Sequence, residues 1–472
     1  MNHSRVTFDN PLLDTDSYKY SHHRQYPPAT EHVSAYVEAR KPSAGINNIL
    51  FFGLQMELAK LRGPVVTHAL IDEAEPFITA HGLTANIASW RKIVDKHGGR
   101  LPVRIDALPE GTFTPIRTTM MRITNTDPEF PWLPTFLETR LLRSIWYPST
   151  VATISYTCLQ EIRRAMLETD GDTTGFEFKL HDFGARGASS FDTVGRGGAA
   201  HLIGSMGTDS MSGLVYARNY YDADMAGFSI PASEHSTMTS WGGEAGELTA
   251  MANMLDQYPT GLVACVSDSF DLFHAIEKYW GDALKDKVLQ RDGVLVVRPD
   301  SGNPVEIVPQ VIEALGAVFG FHETSKGYKL LHDKVRVIQG DGVSPSSIRA
   351  IMEEMKKRKL AIGNIAFGMG GALLQKVNRD TFGFAMKASA ICRDGQWQDV
   401  FKAPATSLHQ GKASRPGRQA TIFTATGVLS SVRVEELDGR EDLLQLAFEN
   451  GELTKYQTFD QVRAQAASTF KA

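Results

Sequence analysis

The stretch that decides the fold is Val294-Leu-Val-Val-Arg-Pro-Asp-Ser-Gly-Asn-Pro304. Its leading apolar residues, 294–297, predict a strand that is buried on both faces, as in a parallel sheet. Arg298 and Asp300 follow where this strand ends, and Pro304 suits the first position of a helix. In α/β proteins, chemistry usually takes place at the carboxyl ends of such strands. A salt bridge on a surface loop would leave the same pattern, so this stretch needs support from the rest of the chain.

The same order of strand, polar loop and helix recurs between about residue 176 and residue 371. The predicted strands are Phe176–Leu180, His201–Met206, Gly227–Pro231, Leu262–Val266, Val294–Val297, Val335–Ile338 and Asn364–Phe367. Alternating strands and helices impose a parallel sheet, and this many units in succession favour a closed or nearly closed barrel. The sequence therefore predicts an α/β fold, an irregular TIM-like barrel of about seven parallel strands. A doubly wound open sheet is the alternative.

The two ends of the chain have a β-rich pattern instead. His32–Arg40 alternates apolar and polar residues, which predicts a half-buried strand. Asn450-Gly451 predicts the turn of a hairpin, and a last helix is expected to start near Asp460. We therefore expect a barrel catalytic domain over residues 151–384. A second, β-rich α+β domain is expected from both chain ends, residues 1–150 and 385–472.

Composition narrows the class of protein. With 472 residues, of which 42% are hydrophobic and 22% charged, the chain resembles a soluble globular protein of two or three domains, or of one barrel with large additions. No apolar run approaches the roughly 20 residues that cross a bilayer, so no membrane association is expected. The three cysteines are far apart, which indicates neither a disulfide framework nor a zinc cluster and suggests a cytoplasmic protein. A net charge of −5 gives no general attraction for nucleic acid.

The polar loops should meet at one mouth of the predicted barrel. They contribute His181, Asp182, Arg186, Asp209, His235, Asp268, Arg298, Asp300 and Asp341. Carboxylates among phosphates are natural ligands of Mg²⁺, arginines clamp phosphates, and glycine-rich loops present backbone N–H groups to phosphate oxygens. Phe183, in the same loop as Arg186, offers a flat ring. We infer an enzyme that handles a phosphorylated, Mg²⁺-bound substrate together with an aromatic one, or alternatively a barrel that binds nucleotides without turnover.

Longer motifs make the chain similar to a known family. They are Thr15-Asp-Ser-Tyr-Lys19, Gln25-Tyr-Pro-Pro28, His181-Asp-Phe-Gly184, Gly207-Thr-Asp209, Glu234-His-Ser-Thr237, Val266-Ser-Asp-Ser269, Arg298-Pro-Asp-Ser-Gly-Asn-Pro304, Gln339-Gly-Asp-Gly342 and Gly370-Gly371. They resemble the nicotinamide phosphoribosyltransferases, which are type II phosphoribosyltransferases. The resemblance implies a head-to-tail homodimer whose sites lie at the subunit interface. It also implies formation of nicotinamide mononucleotide from nicotinamide and phosphoribosyl pyrophosphate, in salvage towards NAD. Nicotinate phosphoribosyltransferase is the nearer alternative.

The resemblance also implies roles for individual residues. Phe183 and Tyr18, the latter from the other subunit, would enclose the pyridine ring, and Asp209 would accept the carboxamide N–H. Asp268 and Asp300 would reach Mg²⁺ directly or through water, and ATP would phosphorylate His235 to improve the equilibrium. The ribose and phosphate region would involve His235, Arg186, Arg298, Asp300, Gly340, Asp341, Gly370 and Gly371, and the site would also include Asp16. Pyrophosphate would be held by Arg379, Lys387 and Lys412 of the other subunit.

Overall fold

The structure is a computed structural model, and it describes residues 5–403 and 413–470. The chain divides into two compact units. The first unit comprises the residues up to Thr153, the short segment Asn219–Asp222 and the residues from Asn378 onward. The second unit comprises Ile154–Arg218 and Ala223–Val377.

Strands occur in both units. In chain order they are β1 (Thr30–Glu38), β2 (Asn48–Leu50), β3 (Val103–Ala107), β4 (Phe113–Pro115), β5 (Met121–Asn125), β6 (Leu180–Asp182), β7 (Gly207–Thr208), β8 (Thr260–Val266), β9 (Asp292–Arg298), β10 (Phe321–Glu323), β11 (Lys329–Leu331), β12 (Val335–Gln339), β13 (Ile365–Met369), β14 (Ala385–Arg393), β15 (Gln396–Asp399), β16 (Gln419–Phe423), β17 (Leu429–Arg433), β18 (Gln445–Glu449) and β19 (Glu452–Leu453).

The α-helices are α1 (Leu54–Lys60), α2 (His68–Ala80), α3 (Ile87–His97), α4 (Leu133–Phe136), α5 (Glu138–Thr169), α6 (Phe191–His201), α7 (Met211–Tyr221), α8 (His235–Thr239), α9 (Glu247–Gln257), α10 (Leu272–His274), α11 (Lys285–Gln290), α12 (Pro304–Phe319), α13 (Pro345–Lys357), α14 (Gly371–Leu374) and α15 (Phe459–Thr469). A π-helical stretch, Ala275–Ala283, continues α10. Among the described residues, no helix combines the length and the apolar character that crossing a bilayer requires.

A parallel sheet organises the second unit. Its strand order is β7-β6-β13-β12-β9-β8, and every neighbouring pair in it is parallel. The α/β prediction is therefore confirmed, but six strands form this sheet where about seven were expected. The segment predicted as the remaining strand, Gly227–Pro231, forms an isolated bridge from Phe228 to β7, and Ala232, just after it, forms one to β8. Pro231 has no N–H group for a ladder, which explains why a regular strand does not form there.

Two other strand predictions are wrong. Phe176–Phe178 forms a 3-10 turn after Gly175, which has a φ of 73°, and the strand begins only at Leu180. His201 ends helix α6 instead of starting a strand. Its buried ring contacts the Ser155 hydroxyl at 2.7 Å and the Gly207 carbonyl at 2.9 Å. These tertiary contacts override the local alternation of apolar residues.

The opening stretch folds as its sequence predicts. Leu295, Val296 and Val297 are buried in β9, and such burial contributes about 1.5–3 kcal/mol for each side chain. Asn303 caps α12 by accepting a hydrogen bond from the Val305 N–H at 3.2 Å, and Pro304 is the first helical residue. The chain between strand and helix is thereby fixed, and it carries the charged residues of the loop.

The first unit contains an antiparallel sheet whose strand order is β15-β14-β1-β5-β3-β18-β19. Strand β1 forms as predicted, but its residues are buried on both faces from Val33 onward. On the face predicted to be polar, Arg415 bonds Tyr36 through its backbone N–H and Glu38 through its guanidinium. The predicted half-buried strand is thus wrong in this respect. The hairpin at Asn450-Gly451 is confirmed, with φ of 50° and 83° at these residues, and so is the last helix, α15.

Candidate active site

A hydrogen-bonded cluster lies where β8 and β9 end. The Asp268 carboxylate is at its centre: Oδ1 lies 3.0 Å from Nε2 of His235, the first residue of α8. Oδ2 accepts the backbone N–H of Asp300 at 3.0 Å and the hydroxyl of Ser301 at 2.6 Å. Arg298 donates to both carboxylate oxygens of Asp300, with Nη2–Oδ2 at 3.0 Å. The structure therefore joins His235, Asp268, Arg298 and Asp300, which the sequence separates by up to 65 positions.

Burial and hydrogen bonding act in opposite directions on the pKa of Asp268. Its side chain is only 2% exposed, and burial alone would raise the pKa of the carboxyl group. The hydrogen bonds from Ser301, His235 and the Asp300 N–H outweigh burial and lower that pKa below its ordinary value. His235 is by contrast 47% exposed. The cluster thus presents an accessible imidazole that is oriented by an ionised, almost completely buried carboxylate.

An aromatic ring lies beside this cluster. The Arg298 guanidinium is 5.9 Å from the centre of the Phe183 ring. Two glycines give the ring its space: a Cβ on Gly368 would lie 2.0 Å from a ring atom of Phe183, and one on Gly340 would lie 3.3 Å from it. A Cβ on Gly370 would meet the Phe183 carbonyl at 3.2 Å. Strand β13 and the loop after β12 are therefore adapted to hold Phe183 in place.

Asp209 is held at the end of β7. Its N–H donates to the Asp182 carbonyl at 3.0 Å, and its Oδ1 accepts the hydroxyl of Ser229. Burial lowers the pKa of His181, and Asp209 acts on that pKa in the opposite direction. Asp209 thus offers a carboxylate that is anchored through one oxygen.

A largely apolar cavity of about 360 Å³ opens within the second unit. His181 and Ser229 line it, together with residues of β8, β9, β12 and β13 such as Leu262, Val296, Ile338 and Ala366. Ser229 connects the cavity wall to Asp209 through the hydrogen bond described above. Lys179 and Arg336 also line it, so the cavity is apolar over most of its surface but carries two basic side chains.

Other predicted site residues in this unit are present without a fixed role. Arg186 is exposed in the 3-10 turn Ala185–Gly187, and Asp341 is exposed, with its carbonyl accepting the Gln339 side chain at 2.8 Å. Gly371 starts α14, which has only 4 residues. Sequence reasoning missed Ser301, Ser229 and Gly368. Ser301 stands inside the opening motif, which was the one signal that could have identified it.

The first unit carries the remaining predicted residues. Tyr18 is 56% exposed, and its ring contacts His22 edge-on at 4.9 Å. Asp16 is hydrogen-bonded to Thr139. Arg379 is the second residue of the segment of this unit that starts at Asn378, and Lys387 lies on β14. Burial lowers the pKa of Lys387. The negative charge of Glu138 raises that pKa, whereas the positive charges of Arg40, Lys19 and Lys402 lower it further. None of these three further cations was predicted to be a site residue. Lys412 lies outside the described residues.

Comparison with solved structures shows the fold. The chain is similar to human nicotinic acid phosphoribosyltransferase, with a TM-score of 0.60 and 17% identity over 96% of this chain and 93% of the human one. Nicotinate-nucleotide pyrophosphorylase from Pyrococcus furiosus has the same TM-score, 0.60, and 17% identity, over 99% of this chain and 97% of that one.

Sequence comparison then shows the family. The profile of the nicotinate phosphoribosyltransferase (NAPRTase) family matches residues 178–452, and that of the nicotinamide phosphoribosyltransferase N-terminal domain matches residues 10–105. The fold and these matches define a phosphoribosyltransferase, an enzyme of the pentosyltransferase class. A protein of Xanthomonas campestris named nicotinamide phosphoribosyltransferase is 48% identical over 97% of this chain and 98% of its own length; one of Acinetobacter baylyi is 31% identical over 98% of each. The chain belongs to the nicotinamide phosphoribosyltransferase family, whose reaction serves NAD salvage.

Proposed function

We propose that this enzyme transfers the phosphoribosyl group of phosphoribosyl pyrophosphate to nicotinamide. The bond from ribose C1 to pyrophosphate breaks, the pyridine nitrogen bonds to C1, and the electron pair of the broken bond leaves with pyrophosphate. The observation that carries the proposal is the cluster of Asp268, His235, Asp300 and Arg298 beside the Phe183 ring. It puts an aromatic surface next to groups that suit phosphates, in a chain of this family.

The pyridine would lie on Phe183, with the carboxamide N–H donating to Asp209. The anchoring hydrogen bond from Ser229 occupies one oxygen of Asp209, so the other oxygen remains for the substrate. A neutral pyridine nitrogen is already a nucleophile. It therefore needs positioning more than deprotonation, and no general base is assigned.

The leaving group would be stabilised by charge. Arg298 supplies a guanidinium, and Asp300 keeps part of its carboxylate accessible, 20% exposed. Mg²⁺ takes few protein oxygens and keeps most of its waters, so a single partly exposed carboxylate suits an ion that arrives with the substrate. Asp300 would hold it, and Asp268, whose side chain is only 2% exposed, would reach it only through water. When bound, the ion would stabilise negative charge on pyrophosphate.

A homodimer with shared sites is part of the proposal. Tyr18 and Asp16 of one copy would reach the pyridine end of the other copy's site. Arg379, Lys387 and Lys412 would reach its pyrophosphate end. Tyr18 supports this role because it is an exposed ring in a firmly bonded segment.

We further propose that ATP phosphorylates His235. Nε2 of His235 faces Asp268, which leaves Nδ1 to attack the γ-phosphate of ATP while ADP leaves. Asp268 would stabilise the positive charge that the ring acquires. Incubation with γ-labelled ATP should give an acid-labile, base-stable label on the wild type and none on His235→Asn. Label on both, or on neither, would remove this step.

The deciding experiment supplies phosphoribosyl pyrophosphate, Mg²⁺ and either nicotinamide or nicotinate, and detects the mononucleotide by mass spectrometry. Nicotinate is a second candidate because the family profile over residues 178–452 is named for it. We expect nicotinamide to be strongly preferred and Asp300→Ala to abolish product. Equal use of both pyridines would show that the enzyme is not specific for the amide, and use of nicotinate alone would assign it to the nicotinate reaction. If neither mononucleotide forms, the protein binds its ligands without turning them over.

A further inference from the structure

The Glu138 carboxylate, the first residue of α5, connects two groups of predicted site residues within the first unit. Its Oε2 lies 2.7 Å from Lys19 Nζ, and its Oε1 lies 3.9 Å from Lys387 Nζ. Lys19 is almost completely buried, with 2% of its side chain exposed, and its amine lies 5.3 Å from the centre of the Tyr18 ring. A buried, charge-assisted hydrogen bond of this kind fixes the position of the chain that carries it.

Through Lys19, Glu138 supports the segment that presents Tyr18. The same segment has a separate attachment one residue further along α5: Thr139 donates its hydroxyl to Asp16 Oδ2 at 2.8 Å, and its oxygen accepts the Asp16 N–H at 3.2 Å. Tyr18 is thus held from both sides, by Asp16 before it and Lys19 after it. Thr139 serves as a natural control, because in the described part of the chain its hydroxyl bonds Asp16 and not Lys387.

Through Lys387, the same carboxylate faces a group of cations. Arg40, Lys19 and Lys402 all act on Lys387 electrostatically, and Glu138 is the counter-charge opposing them. A polyanion that approaches these cations must compete with Glu138 for Lys387. The carboxylate therefore weakens anion binding while it strengthens the placement of Tyr18.

We infer that Glu138 is a positioning residue with opposite effects on the two substrates: it holds Tyr18 in place for the pyridine and competes with pyrophosphate for Lys387. This inference rests on the proposed function, in which Tyr18 serves the pyridine and Lys387 the pyrophosphate. A merely structural role would predict weaker binding of both ligands when Glu138 is replaced.

The test compares Glu138→Gln with the wild-type enzyme in steady-state kinetics, with pyrophosphate as product inhibitor. We expect KM for nicotinamide to rise about ten-fold, since a charge-assisted hydrogen bond is lost. The inhibition constant of pyrophosphate should fall about three-fold or more, since one opposing charge has gone from the cation group. Thr139→Val should raise KM for nicotinamide and leave the pyrophosphate constant unchanged. Glu138→Asp should restore both constants in part.

Two single variants separate the inference from its premise. Tyr18→Ala should raise KM for nicotinamide, and Lys387→Ala should raise the pyrophosphate constant. If either constant stays at its wild-type value, the proposed role of that residue falls and the inference falls with it. If both singles behave as expected but Glu138→Gln leaves the two constants unchanged, or moves both towards weaker binding, the inference alone is overturned.

Discussion

We expect Asp209 to decide which pyridine the enzyme accepts. A carboxylate accepts the carboxamide N–H of nicotinamide in a bond that contributes about 1.5–3 kcal/mol, whereas the carboxylate of nicotinate would repel it. Asp209→Asn should therefore lower kcat/KM for nicotinamide roughly 10- to 100-fold and narrow the gap to nicotinate. Measurement of kcat/KM with both pyridines checks this. A variant with unchanged selectivity and reduced thermal stability would make Asp209 a structural residue only.

Asp300 gives a second prediction on single residues. Asparagine keeps its shape but removes the charge that binds Arg298 and that would face the metal. Asp300→Asn should lower kcat by orders of magnitude and leave the Kd of nicotinamide, measured by calorimetry, nearly unchanged. Asp292→Asn, at the exposed opposite end of β9, is the matched control and should behave as wild type. Ordinary turnover in Asp300→Asn would remove this residue from the mechanism.

Glu110 in the first unit should make stability depend on pH. Burial raises its pKa from the ordinary value of 4.5 to about 7, although hydrogen bonds from Tyr221, Gln55 and Gly53 act in the opposite direction. The folded chain then holds a proton that the unfolded chain has released, so stability is present below pH 4.5 and is lost as pH rises through 7. The loss should amount to about 3 kcal/mol.

Glutamine resembles the protonated side chain and cannot lose a proton. Glu110→Gln should therefore match the wild type at low pH and exceed its stability at pH 8. Urea unfolding midpoints at several pH values measure the difference between the two proteins. A difference that does not change with pH would mean that Glu110 is ionised throughout.

The residue types of the candidate site are predictable from the sequence, but the hydrogen bonds between these residues are not. Arg298, Asp300 and Asp268 each follow an apolar run, so the convergence of parallel strand ends is enough to place them near one another. The hydrogen bond from Ser301 to Asp268 joins two loops 33 positions apart and depends on tertiary placement. Ser229 could not be predicted as a site residue for the same reason. Its segment forms no regular strand, so the sequence does not define the direction of its side chain.

At the level of elements, length decides what the sequence can predict. Strands β8, β9, β12 and β13 are runs of apolar residues and lie where the sequence places them. Strands β6 and β7 have only 3 and 2 residues, too few for a pattern to stand out from neighbouring turns. Helix α5, with 32 residues, was not predicted either, since its apolar residues do not form one clear stripe.

The π-helical stretch after α10 is hydrogen-bonded to Ser267, the residue that precedes Asp268. One extra residue per turn changes which side chains face the sheet, and such stretches often occur at functional sites. Here Trp280 is fully buried and donates its indole N–H to the Ser267 hydroxyl oxygen at 3.0 Å. The Ser267 N–H donates to the Arg298 carbonyl at 3.2 Å. The π-helix is thus bonded to the residue that links the end of β8 to the end of β9.

We expect Trp280→Phe to disturb this support without emptying the core. Loss of one buried hydrogen bond should cost about 1 kcal/mol of stability. Since Asp268 is the next residue after Ser267, kcat should fall several-fold while KM for nicotinamide stays the same. Tyr279→Phe, on the same stretch but half-exposed, should leave kcat unchanged. Equal effects of the two variants would show that the π-helix acts on the site in no specific way.

For the whole molecule, the proposed function assigns site residues to both units. Asp268, Asp300, Phe183 and Asp209 belong to the second unit, and Tyr18 and Lys387 belong to the first. The proposal assigns these two sets to different copies of the chain. Each set lies within one unit, so a single substitution can damage one set without changing any residue of the other.

Mixing two variants tests that assignment, with nicotinamide kept far below the raised KM of Tyr18→Ala so that each variant alone shows little activity. Tyr18→Ala damages only the first-unit contribution, and Asp300→Ala only that of the second unit. If a site combines the first unit of one copy with the second unit of the other, each heterodimer contains one intact site and one doubly damaged site. Random exchange makes about half of the dimers mixed, so activity should recover to about a quarter of the wild-type level. The control pair, Asp300→Ala with Asp268→Ala, damages the second unit in both chains and should recover nothing. Heterodimers that form without recovery in the first pair would place Tyr18 and Asp300 of the same copy in one site, or Tyr18 in none.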